Sequence, residues 1–406
     1  MFGSFWSSVK EHSYASKMAV ASGLVMLKVY VLGHALDVDQ FALILHAYYV
    51  GGVLVFALPL GSMLYMHSIL TAEASLQTVA SARVEVDRFV TVALMVTIAT
   101  GTVLSAFAKA IGLSASTLLA ILFALTYSVS QISILRVKVY RDYDRFAGLL
   151  VFRASMTTAI VVVAAFMEVS VPNLIVLESI TMLLVAAVLL VDLGFSLREF
   201  RGELKKIVST FVPSISGALY TNADRLVATA VLTEQNLARY GLLYLLVSGV
   251  GTAVQFANTK ILPELFVAES AKDVTPLRER LRAAYLDNFR RGTGALAVLF
   301  LVLLAVTLLL AATLPFKYSR LELLIVPIVC MGRFVDILGS VSMVLLGMSK
   351  TAIIQSVVMI VVVSVFLVFN LESVASALSF TLFMNLLMAT IVLASLRQLS
   401  RIKSDE

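Results

Sequence analysis

Residues 292–314 read GTGALAVLFLVLLAVTLLLAATL, a stretch without one ionisable side chain. At about 1.5 Å of rise per residue, such a helix matches the roughly 30 Å hydrocarbon core of a bilayer. Arg290 and Arg291 stand at one flank, and Lys317 and Arg320 lie beyond the other. Eleven more apolar stretches of comparable length fill the chain. Before the quoted one come 18–33, 41–61, 89–108, 113–135, 146–166, 174–194, 207–232 and 237–262; after it come 321–346, 351–369 and 374–396. Hydrophobic residues are 60% of the sequence and the mean hydropathy is +0.98. No water-soluble fold hides that much apolar surface, so an all-α polytopic membrane protein with twelve spans is expected.

The gaps between spans alternate in charge. Of the 31 Lys and Arg, 22 fall in gaps on one side, in clusters such as Arg136–Arg145, Arg198–Lys206 and Arg278–Arg291. The other side holds only Lys109, Arg239, Lys317 and Arg320. The positive-inside bias therefore predicts that both termini face the cytoplasm, and the net charge of +6 reports topology. No basic cluster is interleaved with stacking aromatics, so no nucleic-acid partner is expected. The opening MFGSFWSSVKEHSYASK lacks a small-residue cleavage pattern, and the first apolar run is expected to be retained as a helix. A single cysteine, Cys330, and four histidines offer neither an internal disulfide nor metal-ligand spacing. Gly347-Met-Ser-Lys-Thr has Ser349 where a phosphate-binding loop needs its second glycine. Neither ATP hydrolysis, nor enzyme chemistry, nor a cofactor is expected.

The loop pattern occurs twice. The second span of each half is followed by a long polar stretch on the basic side, Ser68–Arg88 and then Glu264–Arg291. Asp37-Val-Asp-Gln-Phe-Ala-Leu-Ile-Leu also lines up with Asn236-Leu-Ala-Arg-Tyr-Gly-Leu-Leu-Tyr, each a polar turn leading into an aromatic and an apolar run. Two six-helix lobes, residues 1–200 and 201–406, are predicted, related by an axis along the membrane normal and enclosing a central cleft open to one side; a substrate path commonly runs between such repeats.

Ionisable residues inside spans are costly in lipid and are the first functional candidates. They are Lys28, Arg153, the pair Asp224-Arg225, and Arg333 with Asp336. Glu178, Asp192 and Lys260 lie nearer span ends, where snorkelling is expected. Arg333, Asp336 and Ser340 share one helix face, as do Tyr220 and Asp224. Ser248, Thr252, Gln255 and Thr259 form a polar stripe in the eighth span. Pro213 and Pro327 are expected to interrupt the backbone ladder of the two charged helices. Lys28, Arg225 and Arg333 suit an anionic ligand, with Asp224 and Asp336 tuning them or carrying a coupling proton. Tyr220, the polar stripe and Ser340 would line the cavity. The plainer reading stands beside this one: Arg333–Asp336 and Asp224-Arg225 as neutralised pairs that lock helices, and the stripe as helix–helix glue.

Four segments carry a family resemblance. Val31-Leu-Gly-His-Ala-Leu-Asp-Val-Asp-Gln-Phe-Ala-Leu resembles the first external turn of polysaccharide exporters. Asn222-Ala-Asp-Arg-Leu-Val-Ala through Leu237-Ala-Arg-Tyr-Gly-Leu-Leu-Tyr resembles their seventh-span signature. Leu262-Pro263-Glu264-Leu265 is similar to their Phe-Pro-x-Leu, and Leu346-Gly-Met-Ser-Lys-Thr, with Asn370 before Val374-Ala-Ser-Ala-Leu, to the surroundings of their eleventh span. The family's Gly-Pro is Gly33-His34 here, and Ala42 stands for the glycine after Phe41. These segments point to the polysaccharide transporter (O-antigen flippase) branch of the multidrug/oligosaccharidyl-lipid/polysaccharide exporter superfamily. The resemblance implies two lobes in a V shape around the central cleft and translocation of undecaprenyl-diphosphate-linked oligosaccharide across a bacterial inner membrane by alternating access. It also implies membrane lipid, proton or sodium ion, and a polysaccharide polymerase complex as partners. Two rivals remain at this point: a drug antiporter of the same superfamily, and a transport-inactive scaffold of a glycan-assembly complex.

Overall fold

In hydrocarbon a backbone amide finds its partner only within its own helix or a closed barrel. The computed structural model describes residues 2–71, 73, 79–140, 142–270, 296–345, 348–368 and 373–401, and among them no strand occurs. The helices are α1 (Phe2–Ala35), α2 (Val38–Ala57), α3 (Ser62–Tyr65), α4 (Val79–Ala110), α5 (Ala115–Val139), α6 (Tyr143–Phe166), α7 (Val171–Leu190) and α8 (Phe200–Ser209). They continue as α9 (Phe211–Val231), α10 (Glu234–Ser270), α11 (Leu296–Thr313), α12 (Arg320–Leu345), α13 (Met348–Val368) and α14 (Val374–Arg401). A π-helical turn, Met66–Leu70, follows α3. The twelve expected spans correspond to α1, α2, α4 to α7 and α9 to α14.

Seven described segments, in α1, α2, α4 to α7 and α14, are long and apolar enough to cross a bilayer by composition alone. Helices α9 and α12 are diluted by the polar and charged residues singled out above. Short polar side chains mark helix starts. Asp142 accepts from the amide of Arg145 at the head of α6. Ser319 and Glu322 form a reciprocal capping box at the head of α12, with the Ser319 amide 2.7 Å from Glu322 Oε2 and the Glu322 amide 3.2 Å from Ser319 Oγ.

The chain divides into two compact units, Met1–Ala218 and Leu219–Glu406. In the first, α5 is the hub and packs against α2, α4 and α7. In the second, α12 is the hub and packs against α10, α11 and α14. Counted as spans, these are the fourth against the second, third and sixth, and the tenth against the eighth, ninth and twelfth. The same three pairings recur in both halves, as duplication requires.

The basic ends of the first unit are tied by charge. Arg136, buried at the end of α5, donates to Asp87 of α4 and to Asp192 beyond α7; Asp87 also accepts the Gly194 amide at 3.1 Å. The hydrogen bond from Arg136 holds the Asp192 carboxyl below the usual carboxylate range. Lys138 is fully buried and pairs with His67 of the π-helical turn. Burial, then the neighbouring ammonium, push His67 well below the ordinary imidazole value, so it stays a neutral acceptor.

At three places the helix falls four residues short of the expected span. The second span stops at Ala57, and Leu58–Gly61 form a turn in which Leu60 and Gly61 have positive φ. The sixth stops at Leu190. The seventh does not begin at Ile207: that residue belongs to the short α8, the chain breaks at Thr210, and α9 starts at Phe211. Pro213 sits in the first turn of α9, where an amide would have no helical acceptor, so it interrupts nothing. Pro327 does lie inside α12.

The two irregular points meet. Thr210 Oγ1 donates to the Gly61 carbonyl at 2.9 Å, and a Cβ built on Gly61 would stand 2.6 Å from the Phe211 nitrogen and the Thr210 carbonyl carbon. With φ of +98°, Gly61 is required on both counts. Gly61→Ala should therefore lower stability by about 2 kcal/mol or more. Thermal unfolding of the detergent-purified protein checks this, with Gly23→Ala, where a Cβ meets nothing within 4 Å, as the neutral control.

Candidate functional site

Lys28 of α1 is buried and does not stand alone. It forms an ion pair with Glu178 of α7, and Tyr48 of α2 donates its hydroxyl to the other oxygen of that carboxylate at 2.6 Å. The ammonium also lies 4.6 Å from the centre of the Tyr48 ring. Glu178 is 1% exposed, which corrects the expectation that it snorkels: its position in α7 turns it toward α1 and α2. One salt bridge thus joins three helices of the first unit.

A second buried cation lies in the same unit under different terms. Arg153 is near the middle of α6 and 8% exposed. Its Nη1 donates to Gln131 Oε1 at 2.8 Å and its Nη2 to the Tyr127 hydroxyl at 3.1 Å, both on α5. The guanidinium stands 4.4 Å from the Tyr127 ring centre. Among the described residues no carboxylate pairs with it. Phe123 lies between the two cationic places, 5.0 Å from Tyr48 and 5.8 Å from Tyr127, centre to centre. Lys28 and Arg153 therefore cap the two ends of an aromatic row, Tyr48–Phe123–Tyr127.

In the second unit the expected residues come together on α9, α10 and α12. Arg333 Nη1 donates to Asp336 Oδ2 at 3.3 Å, and the Tyr220 hydroxyl donates to the same oxygen at 3.0 Å. Arg333 also reaches the Thr221 carbonyl at 3.4 Å, so the i, i+3 pair of α12 is stitched onto α9. Tyr220 is 4% exposed and packs with Ala223, Val358, Val362 and Phe380; it orients the acid from the core and does not line an open surface. Gly251 lets α10 approach, since a Cβ there would meet Ile337 at 3.1 Å and Arg333 at 3.6 Å.

Arg225 is held more loosely. Its Nε is 4.0 Å from Asp224 Oδ1, its Nη2 donates to the Thr221 carbonyl at 3.1 Å, and its guanidinium faces the Tyr244 ring at 5.3 Å. Asp224 instead accepts the Arg225 amide at 2.8 Å. Of the polar stripe, Ser248 is exposed and Thr252 half-buried, its hydroxyl turned to the Ser248 carbonyl. The side chains of Gln255, Thr259, Lys260 and Ser340 lie outside the described residues.

The sequence reading missed Glu178, Tyr48, Tyr127, Gln131 and Tyr244 as members of these networks. A signal for two of them was present, because Tyr127 and Gln131 share a helix face at i, i+4. Partners on distant spans, such as Glu178 for Lys28, carry no such local mark.

No protein-family model matches the chain, and no curated protein matches its sequence. Solved structures do match. A crystal structure of MATE in complex with MaL6 gives a TM-score of 0.66 at 13% identity, over 97% of each chain. An outward-facing multidrug resistance MATE family transporter of the MOP superfamily gives 0.62 at 12% identity, over 97% of this chain and 96% of that one. A MOP superfamily transporter from Pyrococcus furiosus, whose reversed binding-pocket polarity is described as suggesting a different function, gives 0.60 at 12% identity, over 97% and 96%. The chain therefore has the helical fold of MATE and MOP superfamily transporters.

The two buried cations of the first unit should respond oppositely to neutralisation. Lys28→Met leaves Glu178 charged and unpaired in the interior, a loss of about 3–5 kcal/mol. The double variant Lys28→Met, Glu178→Gln should recover most of it. Arg153→Met strands no charge, and should leave the melting temperature equal or higher. Thermal unfolding of the three variants in one detergent reads all three outcomes.

Proposed function

We propose that the protein is a secondary transporter whose cargo carries its negative charge at the head of a lipid, a polyprenyl-diphosphate-linked oligosaccharide. The observation that carries this reading is Arg153: a guanidinium buried midway along a membrane helix, bonded only to neutral groups among the described residues. Such a charge is costly in lipid unless a counter-charge visits it. A diphosphate suits the guanidinium's planar fork, which binds two oxygens at once.

In this reading Arg153 meets the phosphates first, because among the described residues no carboxylate pairs with it, and Arg225 serves the same cargo from the second unit. Lys28 becomes available only if its ion pair with Glu178 opens, and Asp336 is the coupling group, with Asp224 tuning Arg225. Ser248 and Thr252 offer hydroxyls to sugar. The polyprenyl tail stays in lipid while the head group passes, and the lobes 1–200 and 201–406 are the parts that alternate. Inner-membrane placement with cytoplasmic termini follows from the distribution of basic residues and belongs to the same proposal, as does a polymerase complex as partner.

A second reading keeps the fold and reverses the cargo, as an exporter of cationic small molecules; one neighbour above is a multidrug resistance transporter. The buried carboxylates Glu178 and Asp336 favour it, but each already faces a cation at close range. Binding separates the two. Purified protein should bind undecaprenyl diphosphate at least tenfold more tightly than undecaprenol, and should not bind ethidium. Arg153→Ala and Arg225→Ala should each weaken diphosphate binding about tenfold or more, and Lys at either position should restore it only in part. Equal affinity for diphosphate and alcohol, or ethidium binding abolished by Glu178→Gln, would overturn the proposal.

A further inference from the structure

The segment from Val191 to Thr210 joins the sixth and seventh spans and holds the ten-residue helix α8, all within the first unit. Helix α8 has two unlike faces. Glu203 and Ile207, at i and i+4, are buried against the unit, where Glu203 accepts from Arg88 at 2.9 Å. The other face is exposed and carries Arg201, Lys205 and Val208. Just before it, Arg198 is exposed beside Phe195 and Leu197, which are 68% and 48% accessible.

The cations at this end of the unit fall into two groups. Arg83, Arg88, Arg136 and Lys206 each sit on a carboxylate within 3.3 Å. Arg198, Arg201 and Lys205 have no carboxylate partner among the described residues, although Glu85, Glu199 and Glu203 lie in the same layer. An open recess of about 530 Å³ lies along this face, lined by Arg201, Leu204, Lys205, Val208 and Ser209. It is cationic at its edge and apolar along its wall.

From this we infer that the outer face of α8 and the turn before it form a binding site for an anionic glycerophospholipid headgroup of the membrane leaflet on the basic side. The position argues for a lipid. The segment starts where α7 leaves the hydrocarbon and ends where α9 enters it, so α8 lies at headgroup level, with Phe195, Leu197 and Val208 placed to reach the acyl boundary. The charges argue for an anionic one, since each Lys or Arg near such a surface gains from acidic lipid. The paired cations already have acids and add nothing. This site is independent of the cargo, and its failure would leave the transport proposal untouched.

Native mass spectrometry of the full-length protein from mixed micelles tests it, with phosphatidylglycerol and phosphatidylcholine supplied at equal concentration. The protein should retain phosphatidylglycerol selectively. The triple variant Arg198→Gln, Arg201→Gln, Lys205→Gln should bind it about a hundredfold more weakly, roughly fivefold per cation, with Lys109→Gln as an unaffected control. Free glycerol phosphate at millimolar concentration should not compete. Should the triple variant fold poorly, Ser209→Cys bearing an environment-sensitive dye gives a second readout, because Cys330 is buried. Its emission should shift in nanodiscs of phosphatidylglycerol and not in those of phosphatidylcholine. Equal retention of both lipids, unchanged retention by the triple variant or displacement by glycerol phosphate would overturn the inference. So would a dye shift that follows protein concentration instead of lipid charge, which would make this face a contact between copies.

Discussion

A charge placed in hydrocarbon has to be answered by another charge, by dipoles or by water, and this constraint organises both units. Lys28 is answered by Glu178, with Tyr48 taking the second carboxylate oxygen. Arg333 is answered by Asp336, with Tyr220 on the same carboxylate. The two motifs share one construction: a cation and an acid inside the membrane helices, and a tyrosine from a neighbouring helix that satisfies the acid. Each closes within its own unit and ties together helices that packing alone would leave free to slide, because lipid supplies no hydrophobic drive between helices. Net stabilisation by such pairs is modest, since desolvation offsets most of the Coulomb term, but breaking one is expensive.

Against that background Arg153 stands out for the kind of answer it receives. Two neutral oxygens and an aromatic face solvate it partly and leave its formal charge in place. Arg225 is intermediate, with its Nε 4.0 Å from the Asp224 carboxylate and its guanidinium turned to a tyrosine ring. A transporter must hold its cargo without locking onto its own side chains. Cations solvated by amides and rings meet that need better than cations in tight salt bridges. The row Tyr48–Phe123–Tyr127 further means that the two cationic places of the first unit share one wall of polarisable surface.

The architecture was largely legible in the sequence, because helix in lipid is dictated by apolar length and sidedness by basic residues. The twelve expected spans, the short gaps and the duplicated pattern all rest on such local signals. Helix ends were less legible. Pro59 and Gly61 mark the first break locally, whereas Ile207–Phe211 has only Ser209 and Thr210 to interrupt its apolar run, and the contact that joins the two breaks, Thr210 on Gly61, spans 149 positions that no local pattern announces. In the site, the i, i+3 relation of Arg333 and Asp336 survived intact because it is intrahelical. Glu178 was misjudged for the opposite reason: snorkelling is inferred from distance to a span end, whereas its fate is set by Lys28, 150 residues away. Arg153 is visible in the sequence as an intramembrane cation, but that no carboxylate pairs with it among the described residues is a property of three dimensions.

In the proposed function the head group moved across the bilayer is an anion. The most direct measurement is transbilayer movement in proteoliposomes holding the purified protein and a fluorescent undecaprenyl-diphosphate disaccharide, with outer-leaflet probe destroyed by a membrane-impermeant reductant. The protein should make the inner-leaflet half of the probe accessible, Arg153→Ala should slow this strongly, and an uncharged polyprenyl disaccharide should be moved poorly. Equal movement of the charged and uncharged probes, or no movement of either alongside uptake of tetraphenylphosphonium, would contradict the proposal.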